Sequence, residues 1–294
     1  MKNKQWTVGV WGNGFVGSAV AAAFSPNSCG NATVLVYDKD PLRSPNTPEQ
    51  LTSQCDVIFV CVPTPCSLDG SIDLHCVVSA LEHLSASNYQ GVVAVKSTVI
   101  PGTLYHASRQ LIRPLRLVFN PEFLTQRTNK SDFLTQTRIV LGGDPSDTEV
   151  VEALYRSRFG GIHFIHTTAY VAEFSKYFLN TFFATKISFA NEMKSAFYRG
   201  APNDQPYFKG DPCTTSDALP LDVAWNQLMD IIVTDGRIAN SHLQVPGPDG
   251  KLGYGGACFP KDVAAMLAYG REHGIELNVL QGAQKTNDRV RVPA

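Results

Sequence analysis

The chain has 294 residues, a formal net charge of -1, 44% hydrophobic residues and 17% charged residues. A chain of this length can bury a large core and form one or two domains. Because the charge is nearly balanced and lysine and arginine form no run, we expect neither a nucleic-acid-binding surface nor a polybasic membrane patch. The amino terminus lacks the apolar segment of a secretion signal, and the longest apolar run is only Val57–Val62. We therefore expect a cytoplasmic protein.

Short β-branched runs alternate with helical stretches through the first half of the sequence. The predicted strands are Thr7–Trp11, Thr33–Tyr37, Val57–Val62, Val92–Val95, Leu117–Asn120 and Arg138–Gly142. Predicted helices lie between them, among them Phe15–Phe24, Cys76–Ser85 and Thr103–Leu111. Short, wholly apolar strands separated by helices predict a parallel sheet covered on both faces. We therefore predict a Rossmann-like, doubly wound α/β domain.

The pattern changes after the last predicted strand. Residues Ala169–Arg199 contain neither proline nor glycine and predict one long helix. A polar loop is predicted over residues 200–220. Further helices are predicted over Leu221–Ile232, from Lys261 and near Val279. The predicted domains are residues 1–165, which contain the sheet, and residues 166–294, which are mainly helical.

The sequence Gly12-Asn13-Gly14-Phe15-Val16-Gly17 follows a predicted strand and opens a predicted helix. The first glycine permits a tight turn, the second lets the backbone approach a pyrophosphate, and the third lets helix and strand pack closely. The helix amino terminus offers N–H groups to phosphate. Asp38 ends the second predicted strand, where an acid holds the adenosine ribose. The acid favours NAD over NADP, although Lys39 and Arg43 nearby leave NADP open.

Two further turns follow predicted strands. The third strand ends in Val62-Pro63-Thr64-Pro65, and Thr98 follows the fourth. Ligands of open α/β sheets bind at the carboxyl ends of the strands. We expect these turns to line the cofactor cleft, although either turn alone is more typical of a simple connection.

Three polar segments are candidates for chemistry. The first, Asn120-Pro-Glu122-Phe123-Leu124-Thr-Gln126, lies just past a strand end. The second is the long helix, on which Lys176 and Asn180 are four residues apart and share a face, together with Glu173. A lone lysine on a helix is usually a solvated charge, and the aromatic residues around Lys176 make burial the alternative.

The third polar segment is dense in glycine and ends in Cys258-Phe-Pro-Lys-Asp262. Closely spaced glycines allow the backbone to wrap a ligand, with N–H groups open to phosphate or sugar oxygens. Cys258 follows them near a predicted helix start, a position that favours the thiolate. A nucleophile is the favoured interpretation, and a buried inert cysteine is the alternative. The seven cysteines lack C-x-x-C spacing, so we predict neither a disulfide framework nor a metal site.

These motifs together resemble the UDP-glucose/GDP-mannose dehydrogenase family almost from end to end. The resemblance rests on Gly12-x-Gly14-x-x-Gly17, Val62-Pro-Thr-Pro65, Ser97-Thr98-Val-Ile-Pro-Gly-Thr103, Asn120-Pro-Glu-Phe-Leu124, Lys176-x-x-x-Asn180, Lys186-Ile-Ser-Phe-Ala-Asn-Glu192 and Gly253-Tyr-Gly-Gly-Ala-Cys-Phe-Pro-Lys-Asp262. The cysteine motif, preceded by Gly247-Pro-Asp-Gly250, is most similar to the UDP-glucose 6-dehydrogenase branch.

The resemblance implies an NAD-dependent oxidation of UDP-glucose to UDP-glucuronate. Two hydrides would leave C6 of the glucose, and Cys258 would form a thiohemiacetal and then a thioester, which water hydrolyses. The implied catalytic residues are Cys258, Lys176, Asp262, Asn180, Glu122 and Thr98. The implied cofactor residues are Gly12, Asn13, Gly14, Phe15, Val16, Gly17, Asp38, Val62, Pro63, Thr64, Thr98 and Gln126. The implied substrate residues are Glu122, Phe123, Leu124, Lys176, Asn180, Arg237, Tyr254, Gly255 and Gly256.

The resemblance also has an implication for assembly. This sequence departs from the family pattern in two respects. Arg237 aligns with an arginine that reaches a neighbouring subunit's sugar site, which implies a homodimer or a larger assembly. Gln126 stands where the family often has an acid. Family members usually continue into a third domain that holds the nucleotide base, whereas this sequence stops at Ala294. Three explanations stay open: the sequence is a fragment, a partner chain supplies the cap, or uridine is recognised poorly.

Two other functions stay open at this point. The first is a dehydrogenase of 3-hydroxy acids or 6-phosphogluconate, which shares the glycine turn and a helical lysine but needs no cysteine. The second is a remnant that binds NAD or a nucleotide sugar without turnover.

Overall fold

The computed structural model describes residues 4–123, 129–200 and 221–291. Most of the predicted polar loop and the predicted site residues Leu124 and Gln126 lie outside these ranges. The strands form one seven-stranded sheet in the order β2-β1-β3-β4-β5-β6-β7. They are β1 (Trp6–Trp11), β2 (Ala32–Tyr37), β3 (Val57–Val60), β4 (Val92–Val95), β5 (Arg116–Phe119), β6 (Arg138–Gly143) and β7 (His163–Thr167). The predicted doubly wound α/β fold is confirmed.

One predicted feature of the sheet is corrected. The pairs from β2 through β5 are parallel, but β5 and β6 are antiparallel, with Val118 opposite Gly143. An antiparallel partner can start at the edge where the previous strand ends, so it needs no crossover across the sheet. The added strand β7, parallel to β6, was not predicted. Its sequence His-Phe-Ile-His-Thr is largely exposed at the sheet edge and lacks an apolar run.

Each predicted helix is present with similar bounds, and the structure adds helices at Pro48–Gln54, Asn129–Thr135 and Pro145–Arg158. The helices are α1 (Phe15–Phe24), α2 (Pro48–Gln54), α3 (His75–Ala86), α4 (Thr103–Gln110), α5 (Asn129–Thr135), α6 (Pro145–Arg158), α7 (Ala169–Arg199), α8 (Leu221–Thr234), α9 (Phe259–Glu272) and α10 (Asn278–Val290). No helix among the described residues combines the length and the apolar character needed to cross a bilayer.

Successive strand residues face opposite sides of the sheet, and each side has its own core. On one side Val57 and Phe59 of β3 pack with Phe24 of α1 and Tyr155 of α6. On the other side Ile58 and Val60 pack with α2, α3 and α4. Both sides are therefore apolar, which explains why the central strands are continuous apolar runs.

The contacts divide the chain into two units. Unit 1 comprises Met1–Phe178 and Ala264–Tyr269, and unit 2 comprises Leu179–Val263 and Gly270–Ala294. Unit 1 contains the sheet. Unit 2 contains the carboxyl-terminal part of α7 together with α8 and α10, and its buried residues include Ala190, Leu243 and Val245. The predicted domain boundary between residues 165 and 166 stays a prediction.

Within unit 1, a buried carboxylate joins α7 to α4. Glu173 is fully buried, and its oxygens accept the backbone N–H of Gly102 at 2.6 Å and of Leu104 at 2.9 Å. These groups belong to the amino-terminal turn of α4, where N–H groups have no partner inside the helix. Burial raises the pKa of Glu173 from 4.5 to about 7 and outweighs the opposing effect of the two N–H donors.

The raised pKa of Glu173 predicts a pH-dependent stability. The folded state retains a proton on Glu173 up to about pH 7, whereas the unfolded chain loses it near 4.5. The stabilising contribution is therefore present below about pH 4.5 and is lost as the pH rises through about 7. We expect the unfolding free energy of the wild type, relative to Glu173→Gln, to fall by about 2–3 kcal/mol between pH 5 and pH 8 in urea titrations.

Glu82→Gln is the matched control, because Glu82 is an exposed acid on α3 of the same unit. Its difference from the wild type should stay nearly constant over the same pH range. A Glu173→Gln difference that is equal at both pH values would contradict the prediction.

Candidate cofactor and catalytic sites

The three glycines of the turn after β1 differ in what a side chain at each position would contact. Gly12 has φ +98°, and a Cβ there would lie 2.7 Å from the Cys61 carbonyl oxygen. A Cβ on Gly17 would lie 1.9 Å from the Gly12 carbonyl oxygen. A Cβ on Gly14 would meet nothing within 4 Å. The turn therefore needs its first and third glycines for packing, and its second glycine borders open space.

Polar groups next to Gly14 in the turn are bonded to the segment after β2. Gly14 is the N-cap of α1 and supplies no side chain to its N–H groups. Asp38, just after β2, accepts the Asn13 N–H at 2.6 Å through Oδ2 and the Asp40 N–H at 2.9 Å through Oδ1. The Asn13 side chain donates to the Arg43 carbonyl at 2.9 Å. The predicted turn residues and the predicted acid are thus brought together, beside an uncapped helix terminus that suits an anion.

The other predicted turns lie at the same edge of the sheet. Lys96 N donates to the Val60 carbonyl at 2.9 Å, and Asn120 N donates to the Val95 carbonyl at 2.9 Å. Ser97 Oγ donates to the Val62 carbonyl at 2.8 Å and so joins the ends of β3 and β4. Of the predicted residues here, Thr64 is buried, Val62 and Thr98 are partly buried, and Pro63 is exposed.

A buried ion pair connects the end of β5 with α7. Lys176 Nζ donates to Glu122 Oε1 at 2.9 Å and to the Glu122 carbonyl at 2.6 Å. The two side chains are only 4% and 7% exposed. The Phe123 ring lies 5.7 Å from Nζ. The burial of Lys176, which the sequence left open, is therefore observed, and the lysine is paired with a predicted catalytic acid.

A second buried lysine near this pair was not predicted. Lys96 Nζ donates to Asn120 Oδ1 at 3.0 Å and to the Asn120 carbonyl at 3.3 Å. Tyr155 donates to the same Oδ1 at 2.7 Å. Burial lowers the pKa of Lys96 to about 8, while the nearby Glu122 charge opposes that change. A lysine directly after the apolar strand Val92–Val95 is the sequence signal that could have indicated it.

Unit 2 contains the cysteine and a second buried polar cluster. Cys258 directly precedes α9 and is partly buried. Its carbonyl accepts the Asp262 N–H at 2.8 Å, so Cys258 caps the first turn of the helix. Asp262 is buried, and its carboxylate accepts Asn180 Nδ2 at 2.5 Å and Lys261 Nζ at 2.7 Å. The predicted pair Asn180 and Asp262 is thus in direct contact.

The glycine loop before Cys258 differs from expectation in one respect. Its first two N–H groups are bound by side chains: Gly253 N donates to Asn191 Oδ1 at 3.1 Å, and Tyr254 N donates to Asn287 Oδ1 at 2.6 Å. These two groups are therefore not open to a ligand. Tyr254 is buried, which raises its pKa to about 12. A Cβ on Gly255 would lie 2.1 Å from Arg291 Nη2, so this glycine makes room for an arginine of the chain itself.

Two further predicted residues, both in unit 2, are exposed. Arg237 is 86% exposed and pairs with Asp235, and Gly256, with φ +75°, is also exposed. Unit 1 therefore holds the glycine turn with Asp38 and the Lys176–Glu122 pair. Unit 2 holds Cys258 and the Asn180–Asp262 pair.

Comparison with known proteins identifies related domains. Residues 33–158 match the model of the UDP-glucose/GDP-mannose dehydrogenase family NAD binding domain, and residues 216–289 match the central domain of the same family. The first match supports the prediction of NAD as the cofactor, which is confirmed. The glycine turn precedes the matched residues, so its assignment rests on the geometry above.

Individual relatives agree with these matches. The UDP-glucose 6-dehydrogenase AglM of Haloferax volcanii is 30% identical over 321 residues, which cover 94% of this chain and 68% of that protein. The UDP-glucose 6-dehydrogenase of Rhizobium meliloti is 35% identical over 246 residues, covering 79% of this chain and 50% of that protein. A UDP-glucose dehydrogenase structure from Pyrobaculum islandicum has a TM-score of 0.80 at 25% identity, covering 98% of this chain and 69% of its own. The chain spans about half the length of most of its curated relatives.

The geometry of the glycine turn predicts that alanine at Gly17 lowers stability, whereas alanine at Gly14 weakens NAD binding. In Gly17→Ala the new Cβ overlaps a carbonyl oxygen, so we expect a loss of about 1–3 kcal/mol of stability. In Gly14→Ala the Cβ enters open space, so stability should be nearly unchanged while the Kd for NAD rises about tenfold or more. Calorimetric titration with NAD and urea unfolding measure the two effects. Gly30→Ala, also without neighbours within 4 Å, is the control and should change neither quantity.

The buried ion pair predicts a non-additive pair of substitutions. Lys176→Met leaves the Glu122 carboxylate buried without the Lys176 ammonium, which should cost about 3–5 kcal/mol. In Lys176→Met/Glu122→Gln both charges of the pair are removed, so most of that loss should be recovered in urea unfolding. Lys4→Met is the control, because the Lys4–Asp56 pair is solvent-exposed and should cost less than about 1 kcal/mol. Equal losses in the single and double variants would contradict the interpretation.

Proposed function

Because the chain belongs to the UDP-glucose/GDP-mannose dehydrogenase family, we propose that it is an NAD-dependent dehydrogenase that oxidises UDP-glucose to UDP-glucuronate. The relatives named UDP-glucose 6-dehydrogenase support the choice of substrate. The observation that carries the proposed chemistry is the position of Cys258 at the amino terminus of α9, directly after the glycine loop.

The residues of unit 1 fit the adenosine diphosphate part of NAD. The open space beside Gly14 and the uncapped start of α1 would receive the pyrophosphate. Asp38 would accept the ribose hydroxyls, and Phe15, Val16, Val62, Pro63, Thr64 and Thr98 would line the cleft. Two molecules of NAD, bound one after the other, would each accept one of the two hydrides that leave the substrate carbon.

Cys258 would act as the nucleophile. A thiol at a helix amino terminus is stabilised as the thiolate, because the N–H groups of the first turn face it. The sulfur would add to the aldehyde carbon formed by the first oxidation, and the second oxidation would leave a thioester. Water would release the carboxylate and return the thiol.

The two buried polar pairs would serve the oxygen atoms of these intermediates. Lys176 and Asn180 are one helical turn apart on α7, and they would stabilise the developing oxyanions. Their partners Glu122 and Asp262, with Thr98, would hold the water or transfer protons. Gly256, Phe123 and Leu124 are proposed to contact the sugar nucleotide. Gln126, in place of an acid, would contribute a hydrogen bond to the cofactor.

We propose a homodimer as the working assembly. Large apolar side chains of unit 2 are exposed on α7 and α8, among them Phe189 at 58% and Ile231 at 67%. Exposed apolar side chains of this size favour burial against a partner. Arg237, exposed on the same unit, would reach the sugar site of the neighbouring subunit.

The proposed function predicts a fixed product ratio. With UDP-glucose and excess NAD the chain should form two NADH per sugar, measured by absorbance against the UDP-glucuronate formed. Cys258→Ser should lower kcat by about a thousandfold or more, because a hydroxyl is a far weaker nucleophile. Cys76→Ser is the control, because Cys76 lies on α3 and is not among the residues of the proposed site, and the variant should keep the wild-type activity.

The same assay separates the alternatives. Turnover that persists in Cys258→Ser would favour a hydroxy-acid type of dehydrogenase. Binding of NAD and UDP-glucose without any NADH would favour a binding remnant.

A further inference from the structure

Asn287 of α10 and Arg291, which directly follows that helix, contact the backbone of the loop that leads to Cys258. Asn287 and Arg291 are one helical turn apart and face residues 252–255. A third side chain, Asn191 of α7, contacts the same stretch. All of these residues belong to unit 2.

The two asparagines bind the N–H groups of the loop. Asn191 Oδ1 accepts Gly253 N–H at 3.1 Å, and Asn287 Oδ1 accepts Tyr254 N–H at 2.6 Å. Both amides are buried. A Cβ on Gly253 would lie 2.4 Å from Asn287 Oδ1, so the amide is in direct contact with the backbone. Buried N–H groups need such acceptors, because the loop has no strand partner to supply them.

The arginine binds the carbonyl groups of the loop. Arg291 Nη1 donates to the Gly253 carbonyl at 3.1 Å and to the Leu252 carbonyl at 3.3 Å. Its Nη2 donates to Asp249 Oδ2 at 2.5 Å. The planar guanidinium therefore joins the Gly247–Gly250 turn to the glycine loop, and the missing side chain of Gly255 leaves room for it.

The far end of the loop is fixed by a different element. The Cys258 carbonyl is the first acceptor of α9. Only Gly255, Gly256 and Ala257 separate Tyr254, the last residue with a bound N–H group, from Cys258. Glycines lose the most conformational entropy on ordering, so a loop of this composition keeps one conformation only if both ends are bound.

We infer that Asn191, Asn287 and Arg291 are positioning residues that hold the glycine loop so that the Cys258 thiol stays at the amino terminus of α9. The inference rests on the proposed function, because it assigns these residues to a loop that carries the proposed nucleophile. If the side chains only stabilised the fold, their loss would lower the melting temperature without changing the chemistry of Cys258.

Alkylation of Cys258 tests the inference without requiring turnover. Iodoacetamide labelling of the full chain is followed by peptide mass mapping as a function of pH, with the exposed Cys66 as internal reference. Asn287→Leu removes the acceptor for Tyr254, whereas Asn287→Asp keeps it. Asn278→Leu is the matched control, because Asn278 is an exposed amide on the same helix.

We expect Asn287→Leu to slow labelling of Cys258 about threefold at pH 7 and to raise the midpoint of its pH profile by about half a unit, because the loosened loop frays the first turn of α9. Asn287→Asp and Asn278→Leu should match the wild type, and Cys66 should be unaffected in every variant. Identical Cys258 profiles in Asn287→Leu and the wild type would overturn the inference, as would equal losses in the leucine and aspartate variants.

A second substitution covers the case in which Asn287→Leu does not fold. Arg291→Lys changes a side chain that is 20% exposed and removes the planar fork while keeping the charge. It should shift the Cys258 profile in the same direction, and an unchanged profile would overturn the inference.

The same experiment distinguishes a failure of the proposed function from a failure of the positioning inference. A wild-type Cys258 that reacts no faster than Cys66 at pH 7 contradicts the nucleophile of the proposed function. A difference between Asn287→Leu and Asn287→Asp in the same experiment still supports the positioning role.

Discussion

The ion pair between Lys176 and Glu122 is the constraint on which the arrangement of unit 1 depends. Two charges removed from water are tolerated only when each satisfies the other, and here the lysine also binds the Glu122 carbonyl. The conformation of the chain after β5 is therefore tied to α7. Glu173 ties the same helix to α4 through the N–H groups of Gly102 and Leu104. Charge and hydrogen bonding, as well as apolar packing, thus fix the unit 1 part of α7 to α4 and to the segment after β5.

Such an arrangement costs stability that an apolar contact would not cost. A buried ion pair contributes little to net stability compared with well-packed apolar residues of the same size. Lys96 adds to that cost, because its buried ammonium faces the neutral oxygens of Asn120 and has a lowered pKa of about 8. Buried charges gathered at the carboxyl ends of parallel strands, where ligands bind in this fold, are more easily explained by chemistry than by folding.

The sequence was sufficient wherever a local pattern determines the structure. The bounds of α7 follow from the absence of proline and glycine, and the alternating strand residues explain both cores. The direction of β6 could not be predicted, because an apolar run is the same in either orientation. Lys96 was missed for a related reason: its buried partner Asn120 comes from a distant segment, as does Tyr155, which donates to the same Asn120 oxygen. A single sequence contains the residues of such a contact but not their proximity.

The two glycine-rich segments show the same limit of sequence-based prediction. Both were interpreted as backbone that approaches a ligand, and the open space beside Gly14 agrees with that interpretation. In the loop before Cys258, however, the space at Gly253 and Gly255 is filled by Asn287 and Arg291 of the same chain. Glycine indicates that something approaches the backbone closely, but the identity of the approaching group depends on residues far away in sequence. The loop that carries the proposed nucleophile is therefore better understood as a segment ordered by α10 than as a flexible segment that only a ligand could order.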